Sequence, residues 1–334
     1  MNSKRKINIM FIIISVLLLI GIVTVYIIGE KMLSGEKSKK IVGAEEVNSV
    51  ISENQSKILK NNDNSQKLEN DGTSTLKTIE NNPSVNIMIN ENKFEGKTLK
   101  LNDKGLPILM YHSIDTNIDP KTGKLNELKV PKEVFREQMR YFKDNGFTTL
   151  TMSEAYDFFQ NNKGIPAKSV LITFDDGYVD NYLNAYPVLK EFSFNATVFM
   201  ITDLVDKDSA YLNSSQLKEM ESNGIEIQNH TVNHLHLSTL SYNEQLKQIK
   251  DSKEFLEKLL NKKVDYIAYP YGDYNGDTLK IVKELGIKMG VLASGPWAFK
   301  KDGEFLYRRV YISSLRDMNN FIERLTNPNF KTNW

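Results

Sequence analysis

The chain has 334 residues, with 43 Lys and Arg against 42 Asp and Glu, a net charge of +1. Such a balance gives no argument for nucleic acid or another polyanion as partner. Cysteine is absent, which excludes disulfides and thiolate metal sites and leaves His, Asp and Glu as ligands for any metal.

Lys4, Arg5 and Lys6 precede an uncharged run, residues 9–28, made mostly of Ile, Leu and Val. Twenty residues at helical rise span roughly 30 Å, the thickness of a bilayer core. A cleaved signal would have a shorter apolar region with a small-residue site close behind it; here Gly29-Glu30-Lys31 follows. The expectation is an uncleaved single-pass membrane anchor with residues 1–8 inside, and a secreted protein if the segment is cleaved. Lys31, Lys37, Lys39 and Lys40 on the far side weaken the charge asymmetry that sets orientation. Residues 29–102 are rich in Asn, Lys, Glu and Ser, with no aromatic between Tyr26 and Phe94. Such a stretch buries too little apolar area to offset its ordering entropy, so a disordered tether is expected.

Beyond it, strand and helix patterns alternate. A short apolar run, 106–111, ends at His112. Pro131 opens a helix with Val134, Phe135, Met139 and Phe142 on its apolar positions, and Asn145-Gly146 ends it. Strand 148–150 and a helix from Ser153 lead to a central strand, 169–174. Helices are predicted at 182–192, 214–223, 241–260, 277–285 and 314–325. Strands are predicted at 196–201, 225–228, 264–269, 288–292 and 306–312. The long helix opens with a Ser241/Glu244 capping box. This spacing is that of βαβ units, and their number predicts a barrel rather than an open sheet. The polar candidates fall at strand ends, where barrel enzymes keep their sites.

The central strand runs through Leu171-Ile172-Thr173-Phe174 into Asp175-Asp176-Gly177-Tyr178. Adjacent carboxylates are costly unless a cation or donors accept them. The four histidines are His112, His230, His234 and His236. His230 and His234, four residues apart, can face one ion from a helical turn. Two His and one Asp leave open positions on a metal, the catalytic rather than the structural arrangement. Side chains alternate along a strand, so both aspartates reach the site only if the backbone bends there. Asp176 is then the better ligand and Asp175 the better base; Gly177 permits the turn. His236 is off the face of the pair and reads as structural.

Thr173-Phe174-Asp175-Asp176-Gly177 together with His230-Thr231-Val232-Asn233-His234 resembles the NodB-homology polysaccharide deacetylases, carbohydrate esterase family 4. The resemblance covers about residues 106–325 and implies a distorted (β/α) barrel of the NodB type over 103–334. It implies Asp175 as catalytic base and Asp176, His230 and His234 as ligands of a divalent metal, most often Zn, also Co, Mn or Ni. Ala268-Tyr269-Pro270-Tyr271 stands where the family has Arg-x-Pro-Tyr, so the Arg that orients the base is replaced by Ala268. Tyr271 would offer its N–H to the oxyanion, with Pro270, Tyr178 and Trp297 expected along the pocket. No His follows His236, so the family's late Leu-x-His acid is absent. Met110-Tyr111-His112 resembles instead the branch that acts on poly-β-1,6-N-acetylglucosamine, in which a Tyr-His at the domain start takes that place.

The expected function is metal-dependent removal of N-acetyl groups from an extracellular N-acetylglucosamine polymer. Peptidoglycan as substrate and a non-catalytic glycan-binding protein are the alternatives. Phosphate-ester hydrolysis lacks the carboxylates a second metal needs.

Overall fold

The structure is a computed structural model and describes residues 93–118, 123–293 and 295–331. The expected anchor at 9–28 and most of the expected tether lie outside the described residues. Among the described residues no helix is long and apolar enough to cross a membrane.

The tether's expected end at 102 is moved. Leu99–Lys100 (β1) pairs antiparallel with Ile165–Pro166 (β4). Lys93 forms an ion pair with Glu154 at 2.8 Å. These residues find partners in the folded domain that composition could not reveal.

Seven parallel strands form the main path, in the order β10-β2-β5-β6-β7-β8-β9. They are β2 (Ile108–Tyr111), β5 (Ser169–Phe174), β6 (Ala196–Met200), β7 (Ile225–Asn229), β8 (Tyr266–Ala268), β9 (Met289–Val291) and β10 (Val310–Tyr311). β3 (Thr148–Thr149) pairs with β5 off this path. The two edges of the arc meet through one parallel bridge, Val291 to Tyr307. The helices are α1 (Lys132–Asp144), α2 (Met152–Gln160), α3 (Tyr186–Phe192), α4 (Ser214–Ser222), α5 (Tyr242–Leu260), α6 (Gly276–Glu284) and α7 (Met318–Thr326).

Alternation along the strands divides the core in two. Leu109, Tyr111, Ile172, Phe174, Val198 and Ile227 pack outward, with Phe135, Met139 and Phe142 of α1 in the same cluster. Ile108, Leu171, Phe199, Ala268 and Met289 belong to a separate inner cluster with Met152, Phe158 and Phe159 of α2. Thr173 and Asp175 are in phase with Leu171, so they face inward too.

Several predicted elements change length, and the predicted strand 264–269 is halved to Tyr266–Ala268. Only Val310 and Tyr311 pair in the predicted strand 306–312, because the chain before them meets β9 by the single Tyr307 bridge. The last helix starts at Met318, four residues late, because the Asp317 side chain caps it by accepting from the Asn320 N–H at 2.9 Å. The predicted helix 182–192 also divides: Asn181–Ala185 is π-helical before α3 begins.

Candidate active site

Asp175 follows β5 directly, almost fully buried, and its N–H donates to the Tyr111 carbonyl at 2.9 Å. Its carboxylate is gripped at both oxygens by Arg309: Nη1 to Oδ1 and Nη2 to Oδ2, each 2.6 Å. Arg309 has no solvent exposure. Nη1 also donates to Thr173 Oγ1 at 3.0 Å, and Nε to the Leu292 carbonyl at 2.6 Å. Burial alone would push the Asp175 carboxyl up, but the Arg309 charge outweighs it and holds the group well below the usual carboxylate range. This answers what orients the carboxylate where Ala268 replaces an Arg. The planar two-pronged grip comes from the other end of the domain, 134 residues away. A signal existed in the sequence. Arg309 sits two residues after Tyr307 and immediately before Val310, in a run predicted as a strand, and where such a strand is buried an unpaired charge is not tolerated.

Asp176 escapes the alternation because its backbone is left-handed, φ +70°. Gly177 follows at φ +77°, and a Cβ there would lie 2.1 Å from Met200 Sδ. The bend expected from the two adjacent carboxylates therefore exists, and glycine serves it twice, by conformation and by space. His230 follows the end of β7, and its N–H donates to the Met200 carbonyl at 3.1 Å. Its Nδ1 lies 2.8 Å from the Ala268 carbonyl, which makes Nδ1 the protonated nitrogen and leaves the Nε2 lone pair free. The His230–His234 segment is not the helical turn expected. It is a loop with left-handed residues at Thr231 (φ +67°) and His234 (φ +55°). The Thr231 hydroxyl accepts from the His234 N–H at 3.1 Å, so the loop's own bonds, not helical periodicity, bring the rings together. Their centroids are 4.8 Å apart.

Nε2 of each histidine lies 3.4 Å from Asp176 Oδ1, which is buried and has no hydrogen-bond partner among the described residues. All three donor atoms lie within 4.8 Å of one another. Two ligands on a tetrahedral ion at zinc-like bond lengths stand roughly 3.3–3.4 Å apart. An orphaned buried acceptor with two imidazole nitrogens at that spacing fits a divalent cation. Burial and the neighbouring His230 lower His234 to about 4, keeping it in the neutral, ligating form. Burial opposes a charge on His230, but the Asp175 and Asp176 carboxylates outweigh it and raise that group.

His112 lies one residue beyond β2, partly buried, with its buried Nδ1 lacking a hydrogen-bond partner among the described residues. Burial lowers its pKa against the pull of Asp175 and Asp176, whose charges it feels together with those of Arg309 and His230. Tyr178 stacks on Tyr211 at 5.1 Å, a partner that sequence reasoning missed. Burial, then the Asp176 charge, pushes its hydroxyl far up, so it stays protonated. Beside it opens a recess of about 400 Å³ lined by Ser113, Asp115, Leu183, Asn184 and Ala210, among others. Tyr271 follows the buried Pro270 in a left-handed conformation, φ +59°. Its half-exposed ring meets His234 edge-on at 4.5 Å and stacks on His236 at 3.9 Å. His236 itself is outside the triad and lies 3.5 Å from Asp273. Trp297, expected along the pocket, is engaged elsewhere: Nε1 donates to the Arg324 carbonyl at 2.9 Å, and Lys100 lies over the ring.

A sequence profile described as polysaccharide deacetylase matches residues 162–290. Bacillus subtilis YxkH is 41% identical over 208 residues, which span 62% of this chain and 71% of that protein. The chain belongs to the polysaccharide deacetylase family. The Staphylococcus aureus poly-beta-1,6-N-acetyl-D-glucosamine N-deacetylase is 31% identical to this deacetylase over 241 residues, 65% of this chain and 82% of that one. The solved structure of the Streptococcus pyogenes deacetylase PplD in complex with acetate aligns with a TM-score of 0.64 at 37% identity. It covers 66% of this chain and 98% of that one. The deacetylase is thus a hydrolase, with its buried carboxylate–Arg pair and Asp/His/His cluster at the carboxyl ends of parallel strands.

Proposed function

We propose that this enzyme removes N-acetyl groups from the N-acetylglucosamine residues of an extracellular poly-β-1,6-linked polymer. The reading is supported first by one observation: Asp175 with Arg309, the Asp176/His230/His234 cluster and His112 all meet at one end of the strands. Similarity to an S. aureus enzyme of that name supports the polymer. The uncharged run 9–28 supports a membrane anchor that holds the domain outside the cell.

A divalent cation held by Asp176, His230 and His234 would supply Lewis acidity, polarising the acetamido carbonyl and acidifying water. Asp175 accepts the proton of the attacking water as its oxygen bonds to the carbonyl carbon. Arg309 keeps that carboxylate ionised and fixed in direction. The Tyr271 N–H donates to the oxyanion that forms. His112 delivers a proton to the glucosamine nitrogen as the C–N bond breaks, so acetate leaves and a free amine remains on the polymer.

Acetate release tests this reading, with purified poly-N-acetylglucosamine and purified cell wall as parallel substrates. Protein stripped with a chelator should release none, and Zn, Co, Mn or Ni should restore release from the exopolysaccharide. Release from wall alone would move the substrate to peptidoglycan. No release from either, with metal restored, would leave a glycan-binding protein.

A further inference from the structure

The His112 ring meets Tyr311 edge-on at 6.3 Å, but its Nδ1 is buried and has no hydrogen-bond partner among the described residues. A general acid must still be held in place. The main chain around it is where the bonds are. Asn181, which is 1% exposed, donates Nδ2 to the His112 carbonyl at 2.8 Å. Asp180 accepts from the Ser113 hydroxyl through Oδ2 at 2.6 Å and from the Ile114 N–H through Oδ1 at 2.8 Å. Asn184 Nδ2 donates to the Ile114 carbonyl at 2.8 Å. One residue earlier, the Tyr111 carbonyl accepts from the Asp175 N–H. Four consecutive residues, Tyr111 to Ile114, are therefore bonded to the one segment that begins with the base. Asn181 Oδ1 has no partner among the described residues, while its Nδ2 donates to the His112 carbonyl and, at 3.1 Å, to Asp180 Oδ1, which joins the two side chains.

We propose that Asp180 and Asn181 are positioning residues that tie the loop of the acid to the loop of the base. The β2–β5 ladder, ending in the Asp175 N–H to Tyr111 carbonyl bond, brings His112 and Asp175 side by side, and the Asp180–Asn181 bonds then hold that spacing in the loops beyond the strands. This rests on the reading of His112 as the acid.

The test uses two substrates that differ only in their need for an acid. An N-acetylglucosamine oligomer must have its amine leaving group protonated. 4-Nitrophenyl acetate releases a stable phenolate and needs no proton. The variants are Asn181→Leu, which keeps volume and removes the donor, Asp180→Ala, His112→Ala, and His112→Ala with Asn181→Leu. His112→Ala should lose about 10²-fold or more in kcat on the amide and far less on the ester. Asn181→Leu and Asp180→Ala should each lose about tenfold or more on the amide, with KM unchanged and a much smaller loss on the ester. The double variant should be no slower on the amide than His112→Ala alone, since both act through one group. Ester turnover also reports that each variant is folded. Equal losses on amide and ester, or an additive double variant, would overturn the positioning role while leaving His112 as acid. Undiminished amide turnover in His112→Ala would overturn the acid assignment, and the positioning role with it.

Discussion

The inside of this barrel has two ends built from the same inward-facing strand positions. At the amino end, Ile108, Leu171 and Met289 cluster with Phe158 and Phe159 of α2, all without solvent exposure. Phe159 stacks on Tyr307 at 4.2 Å. At the carboxyl end the same phase of β5 carries Asp175, and the chain after Tyr307 carries Arg309. Four residues from Leu171 to Asp175, and two from Tyr307 to Arg309, thus separate a dry apolar plug from a buried ion pair. The plug gains stability from area removed from water and asks nothing of its neighbours' charge. The ion pair has to recover a desolvation cost through geometry, so its worth depends on every partner being present. One end sets how firmly the molecule is folded, the other what it can do.

Breaking the ion pair from one side should have the largest effect. Arg309→Met leaves Asp175 as a buried charge without its partner. The expected cost is about 3–5 kcal/mol in denaturant unfolding, along with loss of acetate release. Adding Asp175→Leu should restore much of the stability and none of the activity, since an apolar pair of similar volume avoids the desolvation cost. Full stability loss in the double variant would show that the pair is needed for the fold itself.

Phe158→Ala probes the other end. A cavity in the plug should cost about 3–5 kcal/mol by unfolding, yet leave kcat of the folded fraction near wild type at a temperature below the transition. A matching loss of kcat would show that the plug also sets site geometry.

The smallest effect is expected at Glu226, a partly buried carboxylate with no Arg bonded to it. It accepts from the Met152 N–H at the start of α2 at 2.7 Å and from the Thr197 hydroxyl at 3.2 Å. Burial raises its pKa above the usual 4.5. A raised carboxyl costs stability above its folded pKa, and the cost vanishes as pH falls below the unfolded value. Glu226→Gln should therefore raise the melting temperature slightly at pH 8, with the advantage gone below about pH 4. An unchanged difference across that range would mean that the helix N-terminus compensates the charge fully.

Much of this was legible in the sequence. The alternation of elements, the Asp175-Asp176-Gly177 turn and the His230/His234 pair are all local patterns, and local patterns survive in a one-dimensional reading. Arg309 was not found, because its partner is fixed by which strands become neighbours when the sheet curls. No spacing encodes that directly. The loop from His230 to His234 was read with the right residues and the wrong backbone, since two left-handed non-glycine residues leave no compositional trace. Asp180 and Asn181 fall just before the predicted helix 182–192 and belong to no motif. Their partners lie more than sixty residues away, in the loop just past β2.

Arg309 also reaches beyond the carboxylate. Its Nε bonds Leu292, just past β9, while its forked end grips the end of β5 on the far side of β10 and β2. Close by, the sheet edges are joined by the single Val291–Tyr307 bridge, with the Leu292 N–H bonded to the Tyr307 carbonyl. The side chain that aims the base is thus also a staple across the barrel's seam. Opening of the seam and loss of the base's aim become one event. On gentle heating, amide exchange at Leu292 and Tyr307 should accelerate in step with inactivation, before the apolar end lets go.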